Sequence, residues 1–323
     1  MDTKQEPLGS GFGFETSAEE IVARLDLRGK VIVVSGGHSG IGLETTRVLS
    51  NAGASVIVGS RDPQKAQEVL SDMRNVVGLQ LDLADPRSID RFSEDFLSSN
   101  DSLNVLINNA GVMATPLTRD SRGYEMQFAT NHLGHFQLTS RLWKALKNTQ
   151  GSRVVTLSSA GHRFAGVDLD DPNFTARPYD KWVAYGQSKS ANSLFSVELD
   201  QRGKEHGIRA FAVHPGRIIA TNLSRHITDE DLKVAGIRKE NGVVTSPVGI
   251  KTIEQGAATT VWCALSPQLN DKGGVYCANC DVSEIIPDES QLDAGVRQWA
   301  IDKPTAGALW ELSEQLTNRE WAS

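Results

Sequence analysis

The chain has 323 residues, 39% hydrophobic and 23% charged, with 33 basic against 40 acidic side chains and a formal net charge of −7. That composition excludes disordered and fibrous classes, and a chain of this length buries about three quarters of its unfolded surface, enough for a core without staples. The acidic balance and the lack of any Lys/Arg block argue against a nucleic-acid binder.

The three cysteines are an odd number, late in the chain, unlike a secreted disulfide framework. No apolar run reaches signal-peptide or bilayer-spanning length, so the expectation is a cytoplasmic protein with no membrane insertion. Residues 1 to about 15 are polar and Gly-rich and read as a loose arm. Thr16 or Ser17 then caps a short helix, with Glu19 or Glu20 completing a capping box and Ile21, Val22 and Leu25 as its apolar stripe. Residues 1–28 are therefore assigned to an arm and a short helix.

From Lys30 onward, short apolar runs alternate with stretches of helical spacing. The runs are Val31 to Ser35, Ser55 to Gly59, Val77 to Asp82, Asn104 to Ile107, Arg153 to Ser158, Arg209 to His214 and Gly274 to Cys277. Uninterrupted apolar strands need cover on both faces, which predicts a parallel sheet with right-handed crossovers. Residues 29–285 are expected to form a single α/β domain, a Rossmann-type doubly wound parallel sheet of about seven strands. Residues 160–184 and 217–249 read as long irregular insertions of the kind that line a site. Residues 286–323, with Trp299, Trp310 and Trp321, read as a helical tail packed on the core.

The first predicted strand runs into Ser35-Gly36-Gly37-His38-Ser39-Gly40-Ile41-Gly42 and then into a helical pattern. Backbone amides at such a helix start bind a pyrophosphate, and Gly lets the chain approach it closely. Gly36, His38, Ser39, Gly40, Ile41 and Gly42 are therefore cofactor candidates, against the plainer reading of a tight connection. At the end of the second strand stand Ser60, Arg61 and Asp62. An acid at position 60 would bind a ribose 2′-hydroxyl, whereas Ser60 and Arg61 suit a 2′-phosphate, so the cofactor is read as NADP(H). The alternative has Arg61 solvated, Asp62 on the ribose and NAD(H) as cofactor.

Tyr185 and Lys189 are four apart in a helical stretch and share one face. An ammonium and an oxidised nicotinamide near a phenol lower its pKa, which would let Tyr185 act as general acid or base. The Gly36, Gly40, Gly42 turn, Asn108-Asn109-Ala110-Gly111, Asn131, Ser159, Tyr185-x-x-x-Lys189 and Pro215-Gly216 together resemble the short-chain dehydrogenase/reductase family over about residues 29–285. The run from Thr130 to Phe136 and the long gap before Tyr185 resemble its retinol-dehydrogenase-like and WW-domain-oxidoreductase-like branch.

The resemblance implies that Lys189 bonds the nicotinamide ribose. It makes Ser159 the donor to the substrate oxygen, with Ser158 as fallback, and Asn131 a local helix break holding a water that leads to Lys189. Asn109, Ala110 and Gly111 would line the cofactor. Asp82 and Leu83 would flank the adenine, unless Asp82 is a helix cap. Pro215 and Gly216 would redirect the chain, with Ile218 and Thr221 at the nicotinamide carboxamide. Between Ser159 and Tyr185 the spacing is 185 − 159 = 26, longer than in many relatives, so no substrate is carried over from them.

The expected activity is NADP(H)-dependent interconversion of an aldehyde or ketone with its alcohol. The substrate would be a small molecule, lipophilic by analogy with the branch, and the resemblance implies pro-S hydride chemistry in a homo-oligomer, dimer or tetramer, although the branch also includes monomers. A nicotinamide-sensing regulatory or scaffold protein is the second reading, opposed by the full set Asn131, Ser159, Tyr185 and Lys189. A nucleotide-sugar epimerase is the third, opposed by the glycine spacing and by only about 40 residues after position 285. Cys277-x-x-Cys280 is set aside as a redox or zinc motif because no second pair exists, and the seven histidines form no His-Glu-x-x-His, so no metal is expected.

Overall fold

The strands are β1 (Val31–Ser35), β2 (Ser55–Ser60), β3 (Val76–Gln80), β4 (Val105–Asn108), β5 (Arg153–Leu157), β6 (Arg209–His214), β7 (Arg238–Glu240), β8 (Val243–Thr245), β9 (Val275–Ala278) and β10 (Asp281–Val282). The computed structural model describes residues 3–219, 223, 228, 230–231, 238–240, 243–246, 249–290, 294–319 and 321. Eight of these strands form one sheet in the order β10-β9-β6-β5-β4-β1-β2-β3, parallel throughout except for the antiparallel β9–β10 pair. The seven apolar runs account for seven of them. The eighth, β10, has two residues and no apolar run for periodicity to detect. β7 and β8 form a separate hairpin inside the insertion that was expected to be irregular.

Pairing is in register, with Val33 of β1 between Ile57 of β2 and Leu106 of β4. Successive β1 side chains enter opposite layers, which is why the run is apolar throughout. Ile32 and Val34 join a core with Val58, Val155 and Trp262, under α1 (Ala18–Val22), α2 (Gly40–Asn51) and α8 (Ile253–Leu265). Val33 joins Phe92, Phe136 and Phe195, under α4 (Pro86–Ser99), α6 (Gly134–Lys147) and α7 (Lys181–Gly203). The chain reverses its winding between β1 and β4, and that reversal opens a crevice at the strands' carboxyl ends.

Ser17 and Glu20 make the capping box of α1. The arm before it is tied down rather than loose. The Gln5 side chain bonds the backbone N–H and C=O of Tyr276, and the Asp281 carboxylate accepts the amides of Leu8, Gly9 and Ser10 at 2.8, 2.9 and 3.1 Å. A sheet edge needs partners for its polar backbone, and the arm supplies them along β9 and β10. At the other terminus α9 (Lys303–Thr317) packs on α7, with Trp310 stacked on Phe195 at 5.9 Å. Among the described residues, no helix is long and apolar enough to cross a membrane.

Candidate active site

The turn after β1 takes left-handed backbone at Gly36 (φ 68°) and Gly40 (φ 52°). A Cβ at Gly42 would meet Gly36 O and, at 2.5 Å, Asn109 Nδ2, so the turn and the start of α2 close on each other only without a side chain there. Ser39 sits at the N-cap of α2 without a side-chain hydrogen bond to the helix, so its hydroxyl does not engage the first amides. That arrangement suits a pyrophosphate. Asn109 holds the turn from behind, donating from Nδ2 to Ser35 O at 2.9 Å and Gly36 O at 3.3 Å. The backbone amides of Asn109 and Ala110 both donate to Ser35 Oγ, at 2.9 and 3.0 Å.

At the end of β2, Ser60 is buried. Its hydroxyl accepts from Asp62 N at 3.1 Å and donates to Asp62 O at 2.9 Å. Asp62 Oδ1 caps α3 (Pro63–Leu70) through Lys65 N at 3.1 Å, while Arg61 is exposed. His38 Nδ1 is buried without a hydrogen-bond partner, and the imidazole lies below its usual pKa through burial and the nearby charges of Lys65 and Arg61. An orphaned ring nitrogen among two cations fits a phosphate group. Lys65 was not singled out from the sequence, since a lysine on a helix reads as solvated.

Asp82 Oδ1 accepts Ala84 N at 3.0 Å in a local turn, and the cap of α4 is Asp85 rather than Asp82. Leu83 is buried, and its carbonyl and Cβ lie so close to Gly134 that a side chain there would collide with them.

α7 begins at Asp180, whose carboxylate accepts the amides of Trp182 and Val183 at 2.8 Å each. One turn on, Tyr185 and Lys189 are both 4% exposed. Burial pushes the Tyr185 phenol up to about 12, opposed by the neighbouring Ser159 hydroxyl. Burial brings the Lys189 ammonium down to about 8. Lys189 Nζ donates to Leu157 O at 2.9 Å and lies 5.7 Å from the Tyr185 ring centroid. The two serines after β5 separate clearly: Ser158 Oγ donates to Lys189 O at 2.8 Å and is buried against α7, leaving Ser159 beside Tyr185.

Two glycines missed in the sequence let this loop sit on α7. A Cβ at Gly161 would stand 2.6 Å from Tyr185 Cε1, and one at Gly186 would stand 2.8 Å from Phe164 Cβ. Phe164 is 56% exposed and its ring lies 5.8 Å from that of Trp182, which in turn lies 6.4 Å from Tyr185. Trp182 Nε1 and Lys181 Nζ both donate to Asp231, at 3.0 and 2.6 Å, tying the later insertion to the start of α7.

Asn131 lies in a π-helical bulge, Ala129–Leu133, between the short α5 (Met126–Phe128) and α6. Its Oδ1 accepts Val112 N at 2.8 Å, and its Nδ2 donates to Val112 O and Ser188 Oγ at 2.9 Å each. The amide thus fixes the segment after Gly111 to α7. A Cβ at Gly111 would come 3.7 Å from Lys189 Nζ, so the segment at Gly111 runs past the end of that side chain.

After β6, Gly216 takes φ 92° and has the Lys251 side chain packed against it. Pro215 precedes it, and Ile218 packs toward Gly256 of α8. Thr221 lies outside the described residues. Cys263, Cys277 and Cys280 are free and buried, and among the described residues no His/Cys/Asp/Glu group could hold a metal ion.

A family model described as short chain dehydrogenase matches residues 30–232. The chain is 41% identical to a "Probable oxidoreductase" of Streptomyces lividans over 89% of this chain and 97% of that one. It is 37% identical to retinol dehydrogenase 12 of Mus musculus over 92% of this chain and 89% of that one. A solved structure of an uncharacterised protein from Mycobacterium Paratuberculosis superposes with a TM-score of 0.72 at 34% identity, covering 94% of this chain and 98% of that one.

Proposed function

We propose, on the premise that the chain belongs to the short-chain dehydrogenase family, that it is an NADP(H)-dependent oxidoreductase interconverting a carbonyl compound and its alcohol. The observation that carries this reading is Tyr185 and Lys189 buried one helical turn apart on α7, with Lys189 Nζ 5.7 Å from the Tyr185 ring centroid and with Ser159 Oγ and the Tyr185 ring both closing on Gly161, where a Cβ would stand 3.4 Å from the one and 2.6 Å from the other. A phenol held near 12 is protonated at neutral pH, so Tyr185 is set to donate its proton to a carbonyl oxygen. Ser159 orients that oxygen. Lys189, still largely cationic below about pH 8, stabilises the phenolate left behind. The nicotinamide, when bound, supplies or accepts the hydride.

The glycine turn and the N-terminus of α2 would hold the pyrophosphate, and Arg61, Lys65 and His38 the 2′-phosphate, which favours NADP(H) over NAD(H). The Phe164 and Trp182 rings beside Tyr185 suit an apolar substrate.

The test follows nicotinamide absorbance with NADPH or NADH against aldehydes and ketones of increasing apolar size. The expected outcome is faster turnover with NADPH, rising with substrate apolarity. Preference for NADH would overturn the role given to Arg61, Lys65 and His38. NADPH binding with no turnover across the panel would contradict the oxidoreductase reading in favour of a sensing role.

A further inference from the structure

His135 stands on the first turn of α6, fully buried, and belongs to neither the glycine turn nor the Ser159, Tyr185 and Lys189 set. Its two ring nitrogens reach in different directions. Nδ1 lies 2.8 Å from Asn131 O and Nε2 lies 2.8 Å from Ser35 Oγ. A carbonyl oxygen only accepts, so Nδ1 carries the hydrogen and Nε2 holds the lone pair. Ser35 Oγ already accepts from the amides of Asn109 and Ala110, so its own hydrogen must be donated. Nε2 at 2.8 Å is a better acceptor for it than Ile107 O at 3.5 Å. Every polar atom is then satisfied by one arrangement, and it requires a neutral ring.

The bulge explains the Asn131 end. Its i+5 pattern, closed by Gly134 N donating to Ala129 O, shifts the carbonyls inside it away from their ordinary i+4 amides. The imidazole four residues on supplies the Asn131 carbonyl with a donor. A continuous path therefore runs from the turn after β1, through Ser35 and His135, to the bulge whose Asn131 side chain grips Val112 and Ser188.

We propose that His135 is a positioning residue that locks the cofactor-side turn to the bulge beside Lys189, through Ser35 on one ring nitrogen and the Asn131 carbonyl on the other. This rests on the cofactor reading given above. Glutamine places a polar atom near the Nε2 position and asparagine near Nδ1, so the two substitutions separate the two bonds.

The experiment measures NADPH binding by titration and kcat separately for wild type, His135→Gln, His135→Asn, Ser35→Ala and the Ser35→Ala/His135→Asn double variant, with thermal unfolding as the folding control. Each neutral hydrogen bond removed should change its own readout about five- to tenfold. His135→Asn should weaken NADPH binding and largely keep kcat, His135→Gln should do the reverse, and the double variant should bind no worse than Ser35→Ala alone. The ¹⁵N shifts of the imidazole, which need no cofactor and no variant, should show a neutral ring protonated on Nδ1. Effects of the Ser35 and His135 changes that multiply, a ring protonated on Nε2, or variants that lower the unfolding temperature while leaving binding and kcat unchanged would overturn the proposal. If wild type binds neither NADPH nor NADH, the cofactor reading falls and this one with it; if wild type binds and turns over while the variants match it, only this one falls.

Discussion

Two turns leave the sheet for the crevice, one after β1 and one after β5, and they use their backbone amides in opposite ways. After β1, the start of α2 is not capped by the Ser39 side chain. After β5, the amides turn inward: Gly161 N donates to Ser159 Oγ at 3.0 Å, His162 N to Ser159 O at 3.0 Å, and Ala160 N to His214 Nδ1 at 3.2 Å. A turn that binds an anion leaves its donors for the ligand. A turn that must aim one hydroxyl uses them to fix that hydroxyl. On the proposed reading, the same local chemistry, a strand running into a helical turn through small residues, serves as a binding site in one place and a positioning frame in the other.

On this division, and second only to removal of the Tyr185 hydroxyl, Ser159→Ala should lower kcat about 10²- to 10³-fold with NADPH affinity changed by no more than about twofold. Parallel titration and turnover on the same preparation check it. On the other side, Arg61→Ala should weaken NADPH about ten- to a hundredfold, as for loss of a charge-assisted contact, while NADH affinity stays level. Smaller again is Gly161→Ala, whose added methyl meets Tyr185 Cε1 at 2.6 Å. Displacing the phenol should cost about tenfold in kcat and nothing in cofactor binding.

The last prediction concerns what stands behind the turns. His135 backs the first through Ser35. His162 backs the second, its Nδ1 donating to Ser159 O at 2.7 Å and its Nε2 accepting Arg297 N at 3.1 Å. Burial pushes His135 down to about 4 and His162 to about 3, and it does the same to His132, whose Nε2 bonds Ser313 Oγ of α9. With folded values depressed, the unfolded chain takes up these protons first. Stability should be intact above about pH 6.5 and fall as pH drops toward 4, with close to one proton, about 1 kcal/mol per pH unit, for each ring. Unfolding free energies measured across that range should show His162→Gln with a slope shallower by about one proton.

The sequence and the structure agree on most local signals, the β7–β8 hairpin inside the second insertion being a local pairing that the sequence reading did not find. Strand period, glycine spacing and the four-residue step from Tyr185 to Lys189 depend on neighbours along the chain, and the parallel sheet and the crevice follow from them. What stayed hidden depends on distant partners. Hydroxyl chemistry alone does not rank Ser158 and Ser159; the resemblance ranks them, and the physical difference is that Ser158 meets Lys189 O on α7. That Asp62 caps α3 through Oδ1 also depends on how the chain turns after β2. Polarity made the arm read as loose, although one carboxylate, Asp281, collects three of its amides from more than 270 positions away. Gly161, Lys65, Ser35 and His135 carry no local signature, because each matters through a side chain brought to it by the fold.

The most direct test is Tyr185→Phe, assayed for NADPH affinity and carbonyl turnover on the same protein. A cofactor site and a proton-transfer site housed in separate turns predict binding within about twofold of wild type and turnover reduced by about 10³-fold or more. Turnover within about tenfold of wild type would remove Tyr185 from the chemistry, and a matching loss of NADPH binding would show that the two turns are not separate in function.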